Sequence, residues 1–174
     1  MIKAVFPGTF DPIHYGHIDI ARRASQLFDE LVVAVYDKPL KNLVFSAEER
    51  LEMVRESFLD DANIHVMPFS GLVVEFCQQI EAKVIVRGLR VFSDFEHEFR
   101  MAHANRRLAP VIDTMMLITV EQQTFLSSTT VREIASLGGN ISTMVPPHVQ
   151  KALTEHFNST NDGEDGRHVT SLRD

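Results

Sequence analysis

Short apolar runs that alternate with helix-like segments constrain this chain more than any other feature of its sequence. The run LVVAVY at 31–36 has no polar residue before its final tyrosine, as is typical of a strand buried on both faces of a sheet. Similar runs of strand length occupy residues 3–6, 31–36, 63–69, 83–88 and 114–120. Segments with helical spacing of apolar residues separate them, at 17–28, 46–58, 72–80, 92–108, 127–137 and 146–157. This order predicts an α/β fold, in which a doubly wound sheet of five parallel strands carries helices on both faces.

The predicted fold also indicates where a ligand would bind. In Rossmann-like sheets of this kind, ligands bind outside the carboxyl ends of the strands. The segments to inspect are therefore those that follow the strands, which are FPGTFDPIHYGH, YDKPLKN, PFSG, RGLR and EQQTFLSST.

Composition limits the class of protein. The chain has 174 residues and a formal net charge of −7, so it lacks the strongly basic character of a nucleic-acid-binding domain. Its single cysteine, Cys77, excludes an internal disulfide and suits a reducing compartment. No apolar run approaches the roughly 20 residues of a membrane-spanning helix, and no signal peptide is recognisable. We expect a cytoplasmic protein without a membrane or nucleic-acid partner.

The domain organisation is simple. Residues 1–157 form one predicted domain, and the polar segment 158–174 contains little apolar surface that could offset the entropy of ordering it. We therefore expect residues 158–174 to be a disordered tail.

The segment FPGTFDPIHYGH, residues 6–17, carries the clearest chemical signal. Gly8 allows close approach of the backbone, Thr9 offers a hydroxyl group, and His14 and His17 are placed in the first turn of the following helix. The amide groups and the positive end of the helix dipole point to the same place. Together these features favour an anion-binding site.

Other interpretations of this segment remain open. Two histidines three residues apart could bind a metal ion, although two ligands are too few for a closed zinc site. The histidines could instead be ordinary cap and core residues. A dinucleotide-binding loop is excluded because the G-x-G-x-x-G pattern is absent.

Three stretches of the sequence resemble a known enzyme family. GTFDPIHYGH resembles the (T/H)-x-G-H signature of the nucleotidylyltransferase superfamily, and LSSTTVRE resembles its second motif at a helix start. VIVRGLRVFSDFEHEF resembles the RGLR-x-x-x-DFEYE stretch of bacterial phosphopantetheine adenylyltransferases, with His97 in place of the usual tyrosine. The resemblance runs from residue 2 to about residue 157.

The resemblance implies a reaction and its partners. The family transfers the adenylyl group of ATP to 4′-phosphopantetheine, giving 3′-dephospho-coenzyme A and pyrophosphate. It implies Mg²⁺ as cofactor, coenzyme A as a feedback inhibitor, and a homohexamer built as a dimer of trimers. No side chain is expected to hold the metal; ATP phosphates and water are expected to do so.

The same resemblance implies roles for individual residues. The catalytic residues would be His17, Lys41, Arg90 and Thr9, with His14 ranked below His17. Phosphopantetheine would contact Thr9, Lys41, Leu72, Val73 and Arg87. ATP would contact Thr9, Phe10, His17, Gly88, Leu89, Arg90, Glu98, Gln123, Thr124, Phe125, Leu126, Ser127, Ser128 and Thr129.

Several of these residues also have purely structural interpretations. Arg87 and Arg90 could form internal ion pairs with Asp94 or Glu98, and the serine run could be a plain helix cap. Leu72 and Val73 could be core residues, and Lys41 a solvated loop lysine.

Two other functions stay open at this point. The chain could be another nucleotidylyltransferase, acting with CTP or on nicotinamide mononucleotide. It could also be a non-catalytic nucleotide-binding protein on the same fold.

Overall fold

The structure, a computed structural model, describes residues 2–38 and 43–161, and these contain the five strands and six α-helices expected from the sequence pattern. The strands are β1 (Lys3–Gly8), β2 (Glu30–Tyr36), β3 (Ile64–Phe69), β4 (Val84–Leu89) and β5 (Asp113–Ile118). The helices are α1 (Tyr15–Ser25), α2 (Ala47–Ser57), α3 (Val73–Gln79), α4 (Phe92–Leu108), α5 (Ser128–Ser136) and α6 (Pro147–Asn161). A short 3₁₀ helix covers Glu121–Gln123. None of the described helices is long and apolar enough to cross a membrane.

The sheet is parallel throughout, with the strand order β3-β2-β1-β4-β5. The chain winds outward from β1 to β3 and then returns to β4 on the other side of β1. The order of the strands therefore reverses between β1 and β4. Ala4 pairs with Val84 and Val5 with Ile85, and the ladder between these strands ends there, before Gly8. The carboxyl ends of β1 and β4 thus separate, which opens a crevice at the reversal point.

Alternate residues of the central strands pack on opposite faces of the sheet. Ala4 and Phe6 of β1 belong to a core that α1, α2, α5 and α6 cover, whereas Val5 packs with Val74 and Phe76 of α3 on the other face. Both faces are covered, which confirms the predicted Rossmann-like arrangement and explains why the strand sequences are continuously apolar.

The helix boundaries differ slightly from the predicted ones. The first helix begins at Tyr15 because His14 is its N-cap residue and has extended backbone angles, so the two histidines do not both lie in the helical turn. The last helix continues through 158–161, four residues into the predicted tail, and the Ser159 hydroxyl donates to the carbonyl of His156 there. Residues 162–174, the rest of the predicted tail, lie outside the described residues.

Candidate functional site

A cavity of about 360 Å³ lies at the separated ends of β1 and β4, where the strand order reverses. The loop after β1, the start of α1, the end of β4 and the start of α5 surround it. Its lining includes Thr9, Phe10, Asp11, His14, His17, Arg87, Gly88, Arg90, Asp94, Glu98, Thr119, Ser127, Ser128, Thr129 and Arg132. The first and second sequence motifs, more than a hundred residues apart, therefore meet at one site.

The loop after β1 is shaped by the ring of Phe10. This residue has a positive φ of 50°, and its ring folds back over Gly8. A Cβ atom on Gly8 would lie 2.7 Å from the Phe10 ring, so a larger residue there would displace the ring. The ring also meets the imidazole of His17 edge to face, with 5.0 Å between the centroids. A glycine at position 8 is thus needed for the Phe10 ring to pack against His17.

His14 and His17 form a capping box at the start of α1. Nδ1 of His14 accepts a hydrogen bond from the backbone N–H of Gly16, at 3.1 Å. In return, the backbone N–H of His14 donates to Nδ1 of His17, at 3.3 Å. Because Nδ1 of each neutral ring is an acceptor, the proton of each ring is on Nε2. The two rings stack, with their centroids 3.6 Å apart and their planes inclined at 22°.

Both imidazoles are held in the neutral form. Burial lowers the pKa of His14 from 6.5 to about 3, and the positive charge of Arg90 adds to the effect. Burial also lowers the pKa of His17 well below its usual value. The electrostatic effects of His14, Arg90 and Arg87 lower it further. His17 is therefore a neutral hydrogen-bond donor at the cavity wall at physiological pH.

Three arginine side chains line the cavity, and each is paired with a carboxylate. Arg87 binds Glu98, with 2.7 Å from Nε to Oε2 and 2.6 Å from Nη2 to Oε1. Arg90 binds Asp94 through its backbone N–H and guanidinium group.

The third pair joins Arg132 of α5 to Asp11, with 3.3 Å between Nη1 and Oδ2. The carboxylate of Asp11 is 2 % exposed and also accepts from the backbone N–H groups of Val44 and Phe45. Three arginines on one cavity favour a ligand with several negative charges.

The ion pairs agree with the structural interpretation of Arg87 and Arg90, although both side chains still line the cavity. Burial acts to raise the pKa of Asp94, but hydrogen bonds and the charge of Arg90 outweigh it and bring the pKa below its usual value. The Asp94 carboxylate is therefore unsuited to act as a general base at neutral pH.

The start of α5 supplies hydroxyl groups. Ser127 is the N-cap residue and accepts a hydrogen bond from the N–H of Thr130, at 3.0 Å. The hydroxyl of Ser128 donates to the carbonyl of Pro12, at 2.8 Å, and so joins the second motif to the first. Ser127 is thus a helix cap, as its structural interpretation held. It also lines the cavity, together with Ser128 and Thr129.

A second cavity of about 370 Å³ adjoins the first. The two share Pro7, Gly8, Thr9, Arg87 and Glu98 in their lining. The rest of the second cavity consists of Tyr36, Phe69, Gly71, Leu72, Val73, Ile85, His97, Met101, Ala102, Asn105 and Thr114. Leu72 and Val73 therefore form cavity wall rather than sealed core. The size of each cavity suits a small organic molecule.

Some predicted residues are not part of the lining of either cavity. Leu89, Gln123, Thr124, Phe125 and Leu126 line neither of them. Leu126 is 1 % exposed, and its carbonyl accepts a hydrogen bond from Arg90, so it supports the site indirectly. Lys41 lies outside the described residues.

Sequence reasoning missed the residues that hold the loops together. Arg50 of α2 is 1 % exposed and donates to the carbonyls of Thr9, Tyr36 and Phe45. Burial lowers its pKa, while the charges of Asp11 and Asp37 act to raise it. Asp11 and Arg132 lie inside the two motifs GTFDPIHYGH and LSSTTVRE, so their positions could have indicated a role at the site. Nothing in the sequence around Arg50 indicated that it would be buried.

The described ranges contain no group of three or more histidine, cysteine, aspartate or glutamate side chains arranged to hold a metal ion. For the two histidines of the first motif, both Nδ1 atoms are already bonded to backbone N–H groups. The metal-binding interpretation of this pair therefore receives no support from its geometry.

Comparison with known proteins places the chain in a family. A profile for cytidylyltransferase-like proteins matches residues 5–134. The chain is 52% identical to the phosphopantetheine adenylyltransferase of Herpetosiphon aurantiacus over 90% of this chain and 95% of that protein. It is 55% identical to the phosphopantetheine adenylyltransferase of Nitrosospira multiformis, over 88% of this chain and 93% of that protein. The one from Dictyoglomus turgidum is 47% identical over 90% of this chain.

These matches agree with the three motifs and with the parallel sheet. They confirm the resemblance inferred from the sequence and the expectation of an enzyme. The chain belongs to the phosphopantetheine adenylyltransferase family of nucleotidyltransferases.

Proposed function

We propose that this protein transfers the adenylyl group of ATP to 4′-phosphopantetheine, releasing pyrophosphate and forming 3′-dephospho-coenzyme A. The names of its relatives support this pair of substrates. The observation that carries the proposal is the junction of two cavities at Thr9 and Arg87, because a reaction between two bound substrates needs such a meeting point. The first cavity, with three arginines and the start of α5, suits a triphosphate.

The second cavity suits the pantetheine arm. Leu72, Val73 and Met101 offer apolar surface to the chain of the substrate, and Arg87 stands at the end next to the first cavity. A phosphopantetheine bound with its phosphate at Arg87 would present that phosphate to the α-phosphorus of ATP.

The proposed step is a displacement at the α-phosphorus of ATP. An oxygen of the phosphopantetheine phosphate forms the new bond to the α-phosphorus, and the bond from the α-phosphorus to the bridging oxygen of pyrophosphate breaks. The attacking phosphate is already ionised at neutral pH, so no proton has to be removed. The protein is required mainly to align two polyanions and to stabilise the charge on the α-phosphate.

His17 is the proposed donor to the α-phosphate. Its Nδ1 is occupied by the backbone N–H of His14, which leaves Nε2–H to face the ligand. A neutral donor in a buried site stabilises developing negative charge without a proton transfer.

The other proposed substrate contacts are assigned from the positions of the residues in the cavity lining. Arg87 would bind the phosphate of phosphopantetheine, and Arg90 the phosphates of ATP, with Thr9 between the substrates. The hydroxyls of Ser128 and Thr129 and the backbone N–H groups at the start of α5 suit the β- and γ-phosphates. Lys41, Phe10, Glu98 and the segment 123–126 keep their proposed contacts as predictions.

Mg²⁺ is proposed as the cofactor, bound mainly to the ATP phosphates and water. The donor groups of the first cavity fit this arrangement, since Asp11, Asp94 and Glu98 are each paired with an arginine. When bound, the ion would reduce the negative charge of the triphosphate and of the leaving pyrophosphate.

Three further properties belong to the proposal. A homohexamer, as a dimer of trimers, is supported by the exposed rings of Phe92, Phe95 and Phe99 along one side of α4. Coenzyme A is the proposed feedback inhibitor because it contains the whole product and one further phosphate. A cytoplasmic location fits a reaction that consumes ATP.

The test is pyrophosphate release from ATP, Mg²⁺ and 4′-phosphopantetheine, run beside CTP and nicotinamide mononucleotide. Release only with ATP and phosphopantetheine is the expected result. Release with CTP or with nicotinamide mononucleotide would favour another nucleotidylyltransferase. Folded protein that binds ATP and releases no pyrophosphate with any pair would favour a non-catalytic role.

A further inference from the structure

The pair of stacked imidazoles at the start of α1 has a feature that the proposed reaction does not use. His14 is 3 % exposed, caps α1 through Nδ1 and lies face to face with His17. A cap alone requires only an acceptor atom, which asparagine or threonine would supply equally well. The buried ring of His14 is more than the cap needs.

The His14 ring completes an enclosure around His17. The edge of Phe10 meets one side of the His17 ring, and the face of His14 covers another, at centroid distances of 5.0 and 3.6 Å. Gly16 makes room for this stack, because a Cβ atom there would lie 3.0 Å from Cε1 of His14. With the backbone bond to Nδ1, these contacts leave the His17 ring one orientation.

We propose that His14 is a positioning residue for the adenylyl transfer, which holds the ring of His17 so that its Nε2–H points at the reacting phosphate. The inference rests on the proposed function. It assigns the effect to the aromatic ring of His14 rather than to its cap atom or to a contact with substrate. A small displacement of a donor from the α-phosphate is costly for the reaction rate, so the ring contributes to kcat rather than to binding.

The neutrality of both rings supports the stack. Two imidazoles at 3.6 Å would repel each other if both carried charge. Burial lowers the pKa of both rings, so the stack persists across the physiological range.

Two variants separate the ring from the cap. His14→Asn keeps an acceptor near the position of Nδ1 and removes the ring, whereas His14→Phe keeps a ring and removes the acceptor. We expect His14→Asn to lower kcat about 10- to 100-fold with the KM values within about twofold, and His14→Phe to keep more of kcat. His65→Asn, at an exposed position of β3, is the matched control and should be unchanged.

The decisive experiment combines His14→Asn with His17→Ala in one double variant. A residue that acts through His17 has no further effect once that ring is absent, so the double variant should match His17→Ala. A further loss in the double variant would mean that His14 contacts the substrate itself, and this would overturn the proposal. An unchanged kcat in His14→Asn would overturn it as well.

A measurement without substrate keeps the inference separate from the proposed function. The backbone N–H of residue 14 is present in every variant, so the Nε2–H tautomer of His17 should not change. NMR relaxation of the His17 ring should show one fixed orientation in the wild type and in His14→Phe, and a mobile ring in His14→Asn. A ring that is equally fixed in all three proteins would contradict the positioning role. If the wild type released no pyrophosphate, the proposed function would fail whatever the relaxation showed. Thermal unfolding of each variant establishes that it is folded.

Discussion

The guanidinium group of Arg87 binds both carboxylate oxygens of Glu98, with distances of 2.7 and 2.6 Å, and also donates to the carbonyl of Pro7. These contacts hold Arg87 at the junction of the two cavities. The pair fixes a cationic group before any ligand arrives, which reduces the ordering cost of binding an anion.

Arg87→Ala is expected to raise the KM and Kd for 4′-phosphopantetheine about 10- to 100-fold, because a charge-assisted contact is lost. The KM for ATP should change much less. Titration calorimetry with phosphopantetheine and steady-state kinetics measure the effect. The double variant Arg87→Ala, Glu98→Gln separates loss of the arginine from the cost of an unpaired carboxylate, and Arg55→Ala on the exposed side of α2 is the control. Unchanged affinity for phosphopantetheine would contradict the assignment.

His17→Ala is expected to lower kcat by about 10² to 10³, the effect of removing one donor to developing charge. The Kd for ATP should stay within about threefold, because the contact strengthens only in the transition state. His17→Gln, which retains an N–H donor, should lose less. Steady-state kinetics give kcat, and equilibrium binding gives the Kd for ATP. The assignment is wrong if ATP affinity falls while kcat is unchanged.

The stability of the protein should depend on pH through the imidazoles of His14 and His17. In the unfolded chain they bind protons near pH 6.5, but in the folded protein His14 stays neutral down to about pH 3. Between these values the unfolded state binds more protons, so the free energy of unfolding falls as the pH falls and is fully recovered above pH 6.5.

One such group contributes a slope of up to about 1.4 kcal/mol per pH unit. Urea unfolding of the wild type and of His14→Asn at pH 7, 6 and 5 measures it, and the variant should show the shallower slope. Equal slopes would mean that His14 is protonated in the folded protein.

Asp11→Asn should destabilise the fold by about 3 kcal/mol. Its buried carboxylate pairs with Arg132 and accepts from the backbone N–H groups of Val44 and Phe45, so neutralising it leaves the partly buried guanidinium of Arg132 without its charge partner. Chemical unfolding gives the difference, with Asp60→Asn at an exposed position as control. A loss no larger than that of the control would show that the pair contributes little.

The sequence alone determined those features that depend on neighbours along the chain. Apolar runs and helical spacing identified all five strands and six helices, since burial imposes these periods locally. The capping box of Ser46 and Glu49 at the start of α2 is local in the same sense, because its two partners are three residues apart. The motifs were equally readable, as each is a continuous stretch that follows a strand.

The tertiary structure decided which side chains meet. Arg132 reaches Asp11 across 121 positions of the chain, and Arg50 joins the carbonyls of Thr9 and Tyr36, which lie 41 and 14 positions away. No local period records such pairs, because they depend on where the strands bring their loops. The stack of His14 on His17 also needed the structure, since a spacing of three residues suits a cap, a metal site or a phosphate site alike. Only the backbone bonds to both Nδ1 atoms distinguished these interpretations.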